Sequence, residues 1–173
     1  IVFTDEPDLT ALAEKISLEF KTEPDKGIRL FMDGRDVSED VRSQQVSRGV
    51  SAVSAIKGVR QVMVERQRRL GARGNLVMDG RDIGTKVLPH ADLKIFLTAS
   101  IEERAERRWK ELRLKGISVT KEEIEADLQE RDEMDSGRSI DPLRPALDSI
   151  ILDTTKLQIE EVVGEILRLA RRS

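Results

Sequence analysis

Three short apolar runs, Leu76-Val77-Met78, Leu93-Lys94-Ile95-Phe96-Leu97 and Ile150-Ile151-Leu152, are separated by stretches of helical periodicity. Runs this short, with large residues on both faces, suit strands buried inside a sheet. Consecutive strands joined through helices run parallel, so the alternation predicts an α/β protein: a parallel sheet covered by helices on both faces. With 173 residues and 38% apolar content, the chain can bury a core as one ordinary domain or as one domain with a small insert.

Thirty basic and 33 acidic residues leave a net charge of −3 at pH 7. That balance argues against a general binder of nucleic acid or membrane surfaces, while local arginine clusters can still meet small anions. The chain has no cysteine and one histidine, His90. Disulfide frameworks, cysteine zinc sites and most histidine-based metal or triad schemes are thereby removed, and the composition fits a reducing cytoplasm. No run approaches the roughly 20 apolar residues of a bilayer span, and no signal-peptide pattern is present. The sequence opens on Ile1 rather than Met, which raises the expectation of a removed upstream portion.

Asp8 is read as the cap of a short helix bearing Leu9, Leu12, Ala13 and Ile16 and ending near Ser17. The alternation Ile16, Leu18, Phe20, then Glu23-Pro24-Asp25-Lys26-Gly27, then Ile28, Leu30, Met32 predicts two antiparallel strands joined by a turn. Asp33-Gly34 is a second turn, into a short strand over Arg35 to Val37. Helices follow at about Gln44 to Ile56 and Gly58 to Leu70, broken around Lys57-Gly58. Ser100 with Glu103, and Thr120 with Glu123, are capping boxes that open helices to about Lys115 and Asp135. The last helix covers Ile159 to Leu169.

The densest chemistry follows the first apolar run. Asp79, Gly80, Arg81 and Asp82 place three charges around a glycine at a strand end, and charge there is costly unless it is used. In open α/β sheets ligands bind beyond the carboxyl ends of the strands. Arg131 and Asp135, four apart on one helix, share a face; read by itself, that spacing gives an exposed ion pair of about 0.3 to 0.5 kcal/mol.

The residues Asp79-Gly80-Arg81-Asp82-Ile83-Gly84-Thr85, Leu93 to Ser100 with Glu103-Arg104-Ala105, Glu130-Arg131-Asp132, Asp135-Ser136, Arg138 and Leu152-Asp153-Thr154-Thr155 together resemble bacterial cytidylate kinases, in order and across nearly the whole chain. The resemblance implies a P-loop NTPase-like three-layer fold with a small antiparallel insert in its monophosphate-binding region. It implies an entry segment at 1–16, the insert at 17–56, and a kinase core at 57–173 with a lid at about 101–116. The implied reaction moves the γ-phosphate of ATP, with Mg²⁺, to CMP or dCMP, in the cytoplasm, by a protein that is monomeric when intact. The sequence departs from the family at one point: it contains no G-x-x-x-x-G-K-[ST] loop. An upstream loop or a separate chain is then expected to supply it, and these 173 residues alone should not be a competent kinase.

By resemblance, Arg81 and Arg138 take the acceptor phosphate, which suits the bidentate guanidinium fork. Asp82 and Arg60 face the cytosine N4 donor and the N3 and O2 acceptors, with Ser51 adding a hydroxyl; Ser51 reads equally well as a small residue packed in a helix. Arg131 and Asp135 hold the ribose hydroxyls. Asp79 stands near the metal and its waters, or orients Arg81 as an ion-pair partner. Arg104, Arg107 and Arg108 in the lid are candidates for the ATP phosphates. The readings left in competition are a kinase for UMP or AMP, and a non-catalytic fragment that keeps only nucleotide binding.

Overall fold

Asp33 and Gly34 both take positive φ, 50° and 82°, the two-residue geometry that matches the twist of a hairpin. They join β2 (Gly27–Met32) to β3 (Arg35–Asp36), and β1 (Leu18–Glu23) pairs with the other edge of β2, all antiparallel. The computed structural model describes residues 5–72 and 74–172, the side chain of Gln44 excepted. The first four residues of the expected entry segment lie outside them. The chain divides into two compact units, Ile1–Ala72 and Arg73–Ser173.

In the first unit, helix α1 (Glu6–Lys15) is capped by Asp5, whose side chain accepts from the Asp8 amide at 3.1 Å. The expected cap at Asp8 is therefore displaced by one turn: Pro7 fits the first turn of a helix, where no amide donor is needed. The helix also stops short of Ser17, whose amide turns instead to Asp33 Oδ1 at 2.7 Å. Helices α2 (Gln44–Ala55) and α3 (Lys57–Gly71) break at Ile56, one residue before the expected Lys57-Gly58. Gly58 lies inside α3, where a Cβ would collide with the Thr10 side chain of α1. Ala13, Ile56 and Val59 form the packed centre, with Leu9, Val53, Val62 and Met63 against it.

The small sheet is held by charge as well as by its ladder. Arg29 grips Asp36 through Nε at 2.9 Å and Nη2 at 2.8 Å, and Ser38 donates to the same carboxylate from its amide and its hydroxyl. The Ser38 bonds first, then Arg29, hold the Asp36 carboxyl down at about 2. A carboxyl lowered in the folded state stabilises above its unfolded value and loses that contribution as pH falls through the folded one. We expect the thermal stability of this unit to drop between about pH 4 and pH 2, and Asp36→Asn to flatten that acid limb. Melting curves across that range check it, and an unchanged limb in the variant would count against it.

In the second unit, β4 (Ile95–Thr98) and β5 (Ile150–Asp153) pair in parallel, in register from Ile95 with Ile150 to Thr98 with Asp153. The α/β reading holds in this parallel pair and in the small antiparallel sheet. The expected strand at Leu76-Val77-Met78 is not formed: Val77 is 99% exposed and no residue from 76 to 79 enters a ladder among the described residues. Apolar sequence alone makes no strand, because the ladder needs a neighbour whose amides and carbonyls face it.

Helices α4 (Ile101–Leu114) and α5 (Lys121–Ser136) pack through Ala105, Leu112 and Ile124, with Trp109, Val119 and Leu128 around them. The Thr120–Glu123 capping box is complete. At Ser100 only half of the box forms, Ser100 Oγ accepting from the Glu103 amide at 3.3 Å. The other half is pre-empted twice: the Ser100 amide donates to Thr155 Oγ1 at 3.0 Å, and Glu103 Oε1 receives Arg107 at 2.7 Å. Helix α6 (Ile159–Ala170) closes the chain with Ile159, Val163 and Leu167 exposed along one face. No described helix is long and apolar enough to cross a membrane.

Candidate functional site

The turn after Met78 is shaped by Gly80, where a Cβ would lie 2.8 Å and 2.9 Å from Ile83 side-chain carbons. A larger residue there would require the Ile83 side chain to move. From Asp82 the backbone enters a π-helical turn, Ile83–Val87, closed by Val87 N to Asp82 O at 3.3 Å and Leu88 N to Ile83 O at 2.7 Å. Such wide turns are rare and collect at functional sites. The turn is tied to the chain around the end of α5 at two places: Arg81 Nε meets Asp135 Oδ2 at 3.0 Å, and Lys86 Nζ meets Asp141 Oδ1 at 3.4 Å.

Asp135 is the centre of the arrangement. Its side chain is 2% exposed, one oxygen accepting from Arg81 and the other from Arg138 Nη2, with Arg131 Nε a further 3.7 Å from Oδ2. Three guanidiniums gather around one carboxylate, which gives the cluster an excess of positive charge, with the Asp132 carboxylate also acting on Arg131. Burial first, then the charge of Arg81, pushes the Arg131 guanidinium below the usual arginine value. The Nε atoms of Arg131 and Arg138 are buried without a hydrogen-bond acceptor among the described residues. Arg81 is different: Nε is committed to Asp135 while its side chain stays 40% exposed. It therefore presents an oriented fork outward.

This geometry corrects one expectation. Arg81 is oriented by Asp135, 54 residues along the chain, and not by its neighbour Asp79. Asp79 is exposed and makes no hydrogen bond or ion pair among the described residues. Asp135, expected to face a sugar diol together with Arg131, already has both oxygens accepting from arginines. Sequence reasoning paired Asp135 with Arg131 and missed it as the hub. Its spacing carried the signal: Ile124, Leu128 and Asp135 follow at four and eleven, one face of α5, with Ile124 and Asp135 buried.

Ser51 and Arg60 lie in the first unit and share a neighbour. Both are buried; Arg60 Nη1 donates to Ser54 O at 3.1 Å, and Ser54 Oγ to Ser51 O at 3.0 Å. Asp82 is half-buried in the second unit, its carbonyl accepting from the Lys86 amide at 2.8 Å.

The three arginines of α4 share a helix face, yet their guanidiniums diverge. Arg104 Nη1 pairs with Asp132 Oδ2 on α5 at 2.7 Å, and Arg108 Nη1 with Glu111 at 2.6 Å. Arg107 reaches Glu103 and, beyond it, the turn that follows β5. No group of three or more acidic or histidine side chains able to hold a metal occurs among the described residues. Mg²⁺ keeps several waters and is held largely by substrate phosphates, so a single uncommitted carboxylate beside it suffices. Asp79 fits that need.

The second unit joins a parallel β4–β5 pair to helices α4 and α5 and gathers Arg81, Arg131 and Arg138 around Asp135, an arrangement consistent with a P-loop kinase fold. The family model for cytidylate kinase matches residues 1–172. The chain belongs to the cytidylate kinase family. It is 50% identical over 169 residues to the cytidylate kinase of Desulfitobacterium hafniense (strain Y51), covering 98% of this chain and 72% of that one. To the cytidylate kinase of Bacillus velezensis it is 48% identical over 169 residues, 98% and 75% of the two chains. It is also 47% identical over 174 residues to the bifunctional pantoate ligase/cytidylate kinase of Synechococcus sp. (strain JA-3-3Ab), 99% of this chain and 32% of that protein.

Proposed function

We propose that this protein carries the acceptor half of an ATP:CMP phosphotransferase, with CMP and dCMP as acceptors. The observation that carries the reading is the cluster of three arginines around the buried Asp135 carboxylate, with the outward fork of Arg81. A phosphomonoester carries roughly −1.5 to −2 at neutral pH and offers three acceptor oxygens, so its charge complements the cluster's positive excess.

Arg81 and Arg138 hold the acceptor phosphate, and Arg131 neutralises charge beside it. Asp135 acts through the arginines it fixes and is a positioning residue. Asp82 recognises the cytosine N4 amine. Phosphoryl transfer is chiefly a matter of alignment and charge neutralisation, both of which a fixed guanidinium fork supplies without reorganising. On the donor side, Arg104 and Arg108 are our candidates for the ATP phosphates, because their present partners are side chains that a rotamer change releases. Asp79 would hold waters of a Mg²⁺ ion bound with ATP, which would supply positive charge against the phosphates.

The 173 residues contain no phosphate-gripping G-x-x-x-x-G-K-[ST] loop. We therefore place the donor loop in polypeptide beyond these residues, and read the exposed apolar residues Val77, Leu97 and Ile151 as surface such a segment covers. These residues alone are expected to bind CMP without turning it over, and normal CDP formation by them alone would refute this. In the polypeptide carrying the loop, CMP and dCMP should outperform UMP and AMP in a coupled assay. Asp82→Asn, whose amide can donate to uracil O4, should move the CMP-to-UMP preference toward UMP by about five- to a hundredfold, equivalent to about 1 to 3 kcal/mol. An unchanged preference would remove Asp82 from base recognition.

A further inference from the structure

Three contacts from Arg107 converge on the turn that follows β5. Arg107 Nη1 donates to Thr154 Oγ1 at 3.1 Å, and Nη2 donates to Thr154 O at 2.6 Å and Leu157 O at 3.3 Å. Arg107 Nε is fixed by Glu103 Oε1 at 2.7 Å. The turn is also tied to the neighbouring strand end: Thr154 N and Oγ1 donate to Thr98 O at 2.8 Å and 3.0 Å, and the Ser100 amide donates to Thr155 Oγ1 at 3.0 Å. Thr154 is 5% exposed. One guanidinium thus joins the second turn of α4 to the carboxyl ends of both parallel strands, the edge where open α/β sheets bind their ligands.

We propose that Arg107 is a positioning residue: its guanidinium clamps the turn at Thr154–Leu157 and so fixes the strand-end surface on which a nucleotide lies. Four of its five N–H donors are committed to Glu103, the Thr154 hydroxyl and the carbonyls of Thr154 and Leu157, which holds it on the turn and directs it away from the role of a free phosphate-gripping fork. A surface ion pair such as Arg108 with Glu111 exchanges freely with solvent and ligand. A fork held by three acceptors on one turn, anchored at the buried Thr154, does not.

The test needs two readouts and two variants. In Arg107→Ala, amide exchange at Thr155 and Leu157 should quicken at least tenfold, while Ile151 and Leu152, within the β4–β5 ladder, keep their rates. This arm stands without the kinase reading. The kinetic arm rests on it: in the polypeptide carrying the donor loop, the variant should raise the KM of a nucleotide substrate several-fold at nearly unchanged kcat. Arg107→Lys keeps the charge and loses the fork, so it should behave like the alanine variant in both arms. Unchanged exchange in the turn would overturn the proposal. So would full rescue by lysine, or a fall in kcat at constant KM, either of which would mark Arg107 as a charge acting on the transferring phosphate.

Discussion

Asp135→Asn is expected to destabilise the second unit by about 3 kcal/mol and to lower phosphoryl transfer roughly a hundredfold. Asp135 is buried and receives two arginines directly with a third close by, so its loss leaves three like charges facing one another. Removing one partner of a buried ionic group costs far more than the group as a whole contributes, since the remaining charges stay desolvated. The asparagine is nearly isosteric, which keeps the packing around α5 and confines the effect to the lost charge and the one arginine bond that its amide nitrogen cannot accept. CMP binding should suffer less than turnover, because the variant site is more positive but no longer holds the forks in line. Denaturant titration, followed by steady-state kinetics in the polypeptide carrying the donor loop, checks this. Unchanged stability together with unchanged turnover would remove Asp135 from the centre of the site.

Arg81→Lys is expected to separate activity from stability. The lysine keeps one positive charge, but cannot hold Asp135 and grip a phosphate through two parallel bonds at once. Loss of an oriented donor from the reacting site costs about 10²- to 10³-fold in kcat. Stability should change by less than about 1 kcal/mol, because the Arg81 side chain is 40% exposed and its ion pair is partly screened. A variant with wild-type turnover, or one destabilised as much as Asp135→Asn, would show that Arg81 is a structural arginine.

The contrast between these residues shows what the sequence could convey. Local features were readable because their causes are local. The hairpin follows from alternation and from Asp33-Gly34, and the α5 start from Thr120 and Glu123. The box at Ser100 is only half formed because a distant group intervenes: Thr155 takes the Ser100 amide. The run Leu76 to Met78 has strand composition, but whether it joins a sheet depends on a neighbour that no local pattern encodes. In the candidate site, the residue types at Arg81, Asp82, Arg131, Asp135 and Arg138 were legible as chemistry. That Asp135 would be their buried hub was not, since the bond from Arg81 spans 54 residues. Arg107 shows the same limit: its helix spacing suggested a companion of Arg104 and Arg108, while its partners lie 47 and 50 residues onward.

The central claim is that the Arg81 cluster is built for the phosphate of a nucleoside monophosphate. Calorimetric titration of CMP and of cytidine, into the wild-type chain and into Arg81→Lys, tests it most directly. The account predicts that the wild type binds CMP at least about tenfold more tightly than cytidine, as charge-assisted bonds of about 1.5 to 3 kcal/mol require. It also predicts that most of this preference disappears in Arg81→Lys while cytidine binding stays the same. Equal affinity for CMP and cytidine in the folded wild-type protein would contradict it.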